Sequence, residues 1–256
     1  MMTMIAKTWL ENARSVMDRI EGTQLDCISS AAEIMADSIA VDRWVHTFGC
    51  GHATLPVEEM YPRIGGFVGF HPMIELPLTY FTHITGEMGI HQFLFLERAE
   101  GFGCEVMKSY EFDPRDTMWI FSHSGVNPVN IDVAMEAKAR GLKLVVTGSE
   151  AAYRGEPSRH SSGKKLFELA DVVVDTCVPA VDASIPLTAH VDKVGPVSTI
   201  AFTAAVWMIV TTVAERLVER GVELFIHPSH NVPGDTTARD RLDAALREYK
   251  RRIAGV

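Results

Sequence analysis

The chain has 256 residues, of which 47% are hydrophobic, and a formal net charge of −9 at pH 7. This length suits one domain with a sizeable buried core. The acidic balance excludes nucleic acid as an expected partner, because polyanion binding needs clustered Lys and Arg. The four cysteines lack Cys-x-x-Cys spacing, which argues against a zinc ribbon or a disulfide scaffold. Reduced thiols and a cytoplasmic protein are expected.

The amino-terminal stretch, residues 1–40, predicts a long helix. Its first part, MMTMIAKTWLENARSVM, is amphipathic and has no basic flank before an unbroken apolar run, so it does not read as a signal peptide. This agrees with the expected cytoplasmic location.

Four short apolar runs follow along the chain, and each leads into a loop. They are too apolar to alternate, and helical patterns separate them, so they predict strands of a parallel sheet covered by helices on both faces. The predicted strands are 44–51 (WVHTFGCG), 117–125 (TMWIFSHSG), 142–149 (LKLVVTGS) and 171–177 (DVVVDTC). The fold class is α/β. Stretches 62–89 and 150–163 contain Pro and Gly and are predicted as loops.

The clearest local signal is IFSHSGVNPVNIDVAMEAKARGLKLVVTGS. Asn127 is a favoured N-cap, Pro128 suits the first helical position, and Gly141 is placed to end the helix. The pattern is strand, loop, helix, strand. Ligands of open parallel sheets bind beyond the carboxyl ends of the strands, where Ser122 and Ser124 lie. A phosphate at the helix N-terminus and a capped turn without a ligand are both compatible with this spacing.

Other strand ends carry similar small residues. Gly49 and Gly51 follow the first predicted strand, and Thr147, Gly148 and Ser149 end the third. A Walker lysine is absent from the sequence, and the first loop lacks the third glycine of a dinucleotide fingerprint. The expected ligand is therefore a compact phosphate monoester.

The segment Val197 to Ala214 is near the length of a membrane span. It carries one serine and four threonines and runs directly into ERLVERG. We predict a core or interface helix and no membrane partner. A charged final helix is predicted over 235–253.

Several stretches together resemble a known family. FGCGHATLPVEEM, the serine motif above, ADVVVDTCVPAVDAS and KVGPVSTIAFTAAVWMIVTTVAERLVERG resemble the sugar isomerase (SIS) domain of phosphosugar isomerases and binding proteins. The tail HNVPGDTTARDRL resembles that of bacterial single-domain SIS proteins, to which phosphoheptose isomerases are related. The resemblance covers nearly the whole chain, 1–256, as one domain with a helical segment (1–40), a core (41–220) and a tail (221–256). It implies a five-stranded parallel sheet in a flavodoxin-like three-layer sandwich, and a homodimer or homotetramer.

The resemblance also implies binding residues. Ser122, Ser124 and Asn127 fall where the family's hydroxyl donors bind the sugar phosphate. Ala53 stands where the family usually has a serine, and His52 or Thr54 would replace that donor. The predicted binding set is Gly51, His52, Ala53, Thr54, Ser122, His123, Ser124, Gly125, Asn127, Thr147 and Ser149.

The catalytic candidates come from the same resemblance. Glu59 resembles the catalytic glutamate of phosphoheptose isomerases, and Glu58 adjoins it; a solvated acidic pair is the alternative interpretation. His190 precedes the long apolar helix and is the first choice of acid, although a plain loop histidine fits equally. His227 and His230 are next, and their His-x-x-His spacing without a clear third ligand is a weak metal signal.

The sequence thus predicts a phosphosugar isomerase of the aldose-ketose type that needs no organic cofactor, and it assigns no residue as a metal ligand. An amino-sugar phosphate lyase or etherase is the alternative among enzymes. A non-catalytic phosphosugar-sensing protein is the alternative from another class.

Overall fold

The computed structural model describes residues 4–60, 63–79, 89–229 and 231–255. The helices are α1 (Ile5–Ala40), α2 (Leu55–Met60), α3 (Ile90–Leu96), α4 (Phe102–Met107), α5 (Pro128–Ala139), α6 (Glu150–Tyr153), α7 (Leu166–Leu169), α8 (Ser198–Glu219) and α9 (Ala238–Ala254). The strands are β1 (Val45–Gly49), β2 (Phe70–Met73), β3 (Thr117–Ser122), β4 (Lys143–Gly148), β5 (Val172–Asp175), β6 (Ala183–Ile185) and β7 (Val194–Pro196). Short 3-10 helices span Gly51–Thr54 and Leu76–Leu78.

Five strands form a parallel sheet in the order β2-β1-β3-β4-β5, and β6 and β7 form a separate antiparallel pair. The predicted α/β class and the five-stranded parallel sheet are confirmed. The prediction of a loop over 62–89 was wrong at β2, which pairs with β1. Its sequence FHPM has no apolar run to mark a strand, and Pro72 is tolerated because β2 lies at the edge of the sheet.

Alternating side chains of each strand pack on opposite faces of the sheet. In β3, Trp119 and Phe121 belong to one buried cluster with α1 and α8, whereas Met118 and Ile120 belong to the other with α5. Both faces are therefore covered by helices, which explains why the strands read as continuous apolar runs.

Helix α8 buries one face and leaves the other half-exposed. Ala201, Phe202, Ala205 and Ile209 are buried in the cluster that includes α1, as expected for a core helix. Trp207 on the opposite side is only half-buried. Among the described residues, α8 is the one helix long and apolar enough to cross a membrane, and 44% of its apolar window is buried in the protein. Core helices of other proteins meet the same criterion.

Candidate functional site

The site lies where the sheet order changes direction. The chain proceeds from β1 outward to β2, and from β3 outward in the opposite direction to β4 and β5. The carboxyl ends of β1 and β3 therefore border a crevice, the usual place for ligands in such sheets. A cavity of about 220 Å³ opens there. Its lining residues are Cys50, His52, Ala53, Phe93, Glu97, Ser122, His123, Ser124, Asn127, Asn130, Tyr153 and Arg159.

The loop after β1 needs its glycines for the bend itself. A Cβ at Gly49 would lie 2.1 Å from the carbonyl oxygen of Ala53, and Gly51 has a φ of 62°. This bend brings His52 and Ala53 to the cavity. The Thr54 hydroxyl is buried and donates to the Gly51 carbonyl at 2.8 Å. Thr54 therefore does not supply the donor missing at Ala53, whereas His52 lines the cavity.

The loop after β3 forms the opposite wall. The backbone N–H of Gly125 donates to Oγ of Ser122 at 3.1 Å, and Nδ2 of Asn130 lies 3.4 Å from the same oxygen. Ser122 accepts both bonds and keeps its hydroxyl proton for another acceptor. Ser124 is half-buried and lines the cavity beside it. The two hydroxyls thus play different roles, since Ser122 also shapes its own loop.

Helix α5 begins at the predicted residue, but its N-terminus offers fewer donors than expected. Pro128 has no N–H, and the Val129 N–H donates to the backbone carbonyl of Glu97 at 3.4 Å. The Asn127 side chain makes no capping bond to the helix. Its Nδ2 donates to Oε2 of Glu97 at 2.8 Å, and its Oδ1 accepts from Nη1 of Arg159 at 2.8 Å.

Glu97 is a buried carboxylate at the cavity wall, with only 7% of its surface exposed. Burial raises its pKa, although Arg98, the Asn127 amide and Arg159 act in the opposite direction. Reasoning from the sequence missed both Glu97 and Arg159. They lie 30 residues before and 32 residues after Asn127, so no local spacing pattern connects them with the serine loop.

Two histidines also line the cavity. The rings of His52 and His123 have centroids 6.5 Å apart, and Tyr153 meets His123 edge-on at 5.3 Å. Burial lowers the pKa of both imidazoles, and the nearby Asp182 carboxylate opposes that shift. Both rings are therefore neutral near pH 7. Burial also raises the pKa of the Cys50 thiol, which stays protonated.

Other predicted site residues lie outside this cavity. Thr147 accepts a bond from the Trp119 indole, and Ser149 donates to the Val178 carbonyl; both are buried. Gly51 and Gly125 are backbone positions of the two walls.

The predicted catalytic residues are not among the lining residues. Glu59 bonds to Trp207 and Arg63, and Glu58 next to it is half-buried. His190 is exposed in the loop before β7. His230 lies outside the described residues. These roles stay predictions.

Within the described residues, no group of three or more His, Cys, Asp or Glu side chains is arranged to hold a metal ion.

A doubly wound parallel sheet with a donor-lined cavity at its switch point is the arrangement typical of ligand-binding α/β domains. The SIS domain model matches residues 8–149. The chain therefore belongs to the SIS domain family, as the motifs predicted.

Curated relatives of this chain include UPF0309 proteins. One from Shouchella clausii is 32% identical over 228 residues, covering 89% of each chain. Another, from Caldanaerobacter subterraneus, is 30% identical over 248 residues, covering 96% of this chain and 97% of the relative.

Solved structures show the same fold at low sequence identity. A phosphoheptose isomerase from Francisella tularensis has a TM-score of 0.52 at 14% identity and covers 84% of this chain and 100% of its own. A phosphoheptose isomerase from Neisseria gonorrhoeae has a TM-score of 0.52 at 11% identity, and the match covers 82% of this chain and 97% of that isomerase.

Proposed function

We propose that this protein binds a sugar phosphate in the cavity between the β1 and β3 loops and interconverts its aldose and ketose forms. The observation that carries the proposal is the convergence of hydroxyl, amide and imidazole groups at the switch point of a SIS-domain sheet. The phosphoheptose isomerases with the same fold support this substrate class.

The phosphate would be held by local donors. Ser124 and the remaining hydroxyl proton of Ser122 face the cavity, and the Arg159 guanidinium stands beside Asn127 at its wall. Charge-assisted hydrogen bonds to phosphate are about twice as strong as neutral ones. This local positive charge fits a chain whose net charge of −9 would otherwise repel an anion.

The reaction needs a base and an acid. An aldose-ketose isomerase moves one proton between adjacent carbons while an acid polarises the carbonyl. The resemblance assigns the base to Glu59 or Glu58 and the acid to His190 or His230. The carboxyl and imidazole groups that line the cavity are instead those of Glu97, His52 and His123. Comparing variants of the two sets will decide between them.

A sensing protein is the second candidate. It is favoured by one observation: Glu59 and His190 lie outside the cavity lining, so a phosphosugar can occupy the cavity without touching either. Such a protein would bind sugar phosphates but would not exchange the C2 proton of the substrate.

The test is a thermal-shift panel of aldose and ketose phosphates, with the free sugars as controls. A ligand that binds only the native state raises the melting temperature. Solvent-deuterium incorporation at C2 is then measured with each stabilising compound. Stabilisation with exchange supports the isomerase, and stabilisation without exchange supports the sensor. A panel in which no sugar phosphate stabilises the protein contradicts both.

A further inference from the structure

The cavity contains a carboxyl group to which neither the sequence motifs nor the family resemblance assigns a role. We propose that Glu97 is the catalytic acid of the cavity: it meets the anionic ligand in its carboxylic-acid form and donates its proton to the substrate oxygen. This inference rests on the proposed sugar-phosphate function.

The first support is the orientation of the Glu97 side chain. Asn127 donates to Oε2 of Glu97 through Nδ2 and accepts from Arg159 through Oδ1, both at 2.8 Å. The opposite amide orientation would place an oxygen against the carboxylate and an NH₂ group against the guanidinium. The hydrogen bonds of Asn127 to Glu97 and Arg159 therefore fix the position of Oε2 of Glu97. The other oxygen, Oε1, lies 4.0 Å from Nε of Arg98, which is beyond hydrogen-bond reach.

The second support is the charge balance of the cavity. Among the described lining residues, Arg159 supplies the permanent positive charge, and His52 and His123 are neutral near pH 7. A phosphate bound in this cavity of about 220 Å³ would share it with Glu97, which is one of the lining residues. A nearby like charge raises the pKa of a carboxyl group, and burial already raises that of Glu97, while Arg98, the Asn127 amide and Arg159 act in the opposite direction. Ligand entry thus favours proton uptake by Glu97.

The protonated carboxyl then has a role in the chemistry. In the forward step a base removes the C2 proton, the C2–H electrons form the C1=C2 bond, and Glu97 gives its proton to O1, which leaves an enediol and a carboxylate. In the second step the base returns a proton to C1, while the Glu97 carboxylate takes the proton from O2 as the ketone forms. Each group regains its starting state, so no further reactant is needed.

Proton uptake on binding tests the proposal directly. Calorimetric titrations with inorganic phosphate and with glucose 6-phosphate are run at pH 7.0 to 8.5 in buffers of different ionisation enthalpy. The dependence of the observed enthalpy on the buffer gives the number of protons taken up. Comparing wild type with Glu97→Gln removes the contribution of the phosphate's own titration. Gln keeps an oxygen to accept from Asn127 but cannot titrate.

We expect wild type to take up more protons than Glu97→Gln at one or more of these pH values, with the difference approaching one proton. Affinity should change by less than about tenfold, because the amide still donates a hydrogen bond. The exposed Glu105, paired with Lys108, gives the matched control: Glu105→Gln should behave as wild type. Turnover should fall by a factor of about 10² to 10⁴ in Glu97→Gln with little change in KM, and Glu97→Asp should regain part of it.

Equal proton uptake by wild type and Glu97→Gln at every pH would overturn the inference while leaving the proposed function intact. So would a loss of affinity greater than a hundredfold, which would mean that the ionised carboxylate binds ligand donors. Failure of wild type to bind either probe would overturn the inference together with the proposed phosphate site.

Discussion

Oε1 of Glu59 accepts a hydrogen bond from Nε1 of Trp207 at 3.2 Å, and Nε of Arg63 lies 2.8 Å from the same oxygen. The contact joins α2 to α8 on the face that α8 leaves half-exposed. Glu59 therefore has two partners outside the cavity, whereas Glu97 lies in its wall. Substitutions of Glu59 and of Glu97 can therefore test separately which of the two carboxylates takes part in the proton transfer.

Glu59→Gln tests the role that the family resemblance implies. Gln keeps an oxygen for the Trp207 indole and removes the base. If Glu59 abstracts the C2 proton, ligand binding should be nearly unchanged while turnover falls by a factor of about 10² to 10⁴. Deuterium exchange at C2 should vanish with it. Glu58→Gln is the matched control and should lower turnover and deuterium exchange less than Glu59→Gln does. Normal exchange in Glu59→Gln would restrict this residue to its contacts with Trp207 and Arg63.

Ser124→Ala tests the phosphate site. Removing a charge-assisted hydrogen bond costs about 1.5 to 3 kcal/mol, so sugar-phosphate affinity should drop roughly tenfold to a hundredfold. Binding of the unphosphorylated sugar should hardly change. Ser124 is the better choice than Ser122, whose oxygen also accepts from the Gly125 backbone. Ser15→Ala on the exposed part of α1 serves as control. Equal losses for both ligands would remove Ser124 from the phosphate site.

The parts of the fold that the sequence predicted are those set by local chemistry. The limits of α5 were predicted correctly because each depends on the chemistry of a single residue. Asn127 occupies the N-cap position, Pro128 lacks an N–H at the first helical position, and Gly141 adopts a φ of 86° after the last turn. Continuous apolar runs marked the interior strands. β2 was missed because an edge strand of four residues carries no such run.

The sequence predicted the site only for residues that directly follow the ends of the parallel strands. Parallel strands end at one edge, so Ser122, Ser124 and His52 were expected to lie close together, and they line one cavity. Glu97 and Arg159 reach that cavity through contacts with Asn127 across about thirty residues on either side. Single-sequence patterns hold no information on such pairs. Glu59 was placed by resemblance alone, and its contacts lie on another face.

Assembly is a separate prediction. α8 exposes part of an apolar face that includes Trp207 and Met208, and Leu55 on α2 is also exposed. Burying such a face against another subunit removes apolar surface from water. We expect a dimer or larger species in sedimentation at micromolar concentration. Met208→Glu should weaken it, and the exposed α9 substitution Leu246→Glu should not. A stable wild-type monomer near 28.3 kDa would contradict the prediction.

At the amino end of the sheet, His46 and His71 occupy paired positions of β1 and β2. Their Nδ1 atoms are 3.0 Å apart, and Nε2 of His46 lies 3.2 Å from Oδ2 of Asp116. The Asp116 carboxylate also accepts two backbone N–H bonds, so Nε2 of His46 carries the proton. Nδ1 of His46 then accepts a hydrogen bond from Nδ1 of His71. His46 is thus a hydrogen-bonded core residue, with 1% of its surface exposed.

This pair predicts how stability depends on pH. Burial, with a smaller contribution from His46, lowers the pKa of His71 to about 4, against 6.5 for the unperturbed group. Between these values the unfolded chain binds more protons than the folded one, so the free energy of unfolding falls as pH drops from 6.5 toward 4. His71 alone contributes up to about 3 kcal/mol to this loss. In His71→Gln, which keeps an amide donor for His46, urea unfolding at pH 7 and pH 4.5 should show a correspondingly smaller difference. Equal pH dependence in the two proteins would mean that His71 does not titrate in this window.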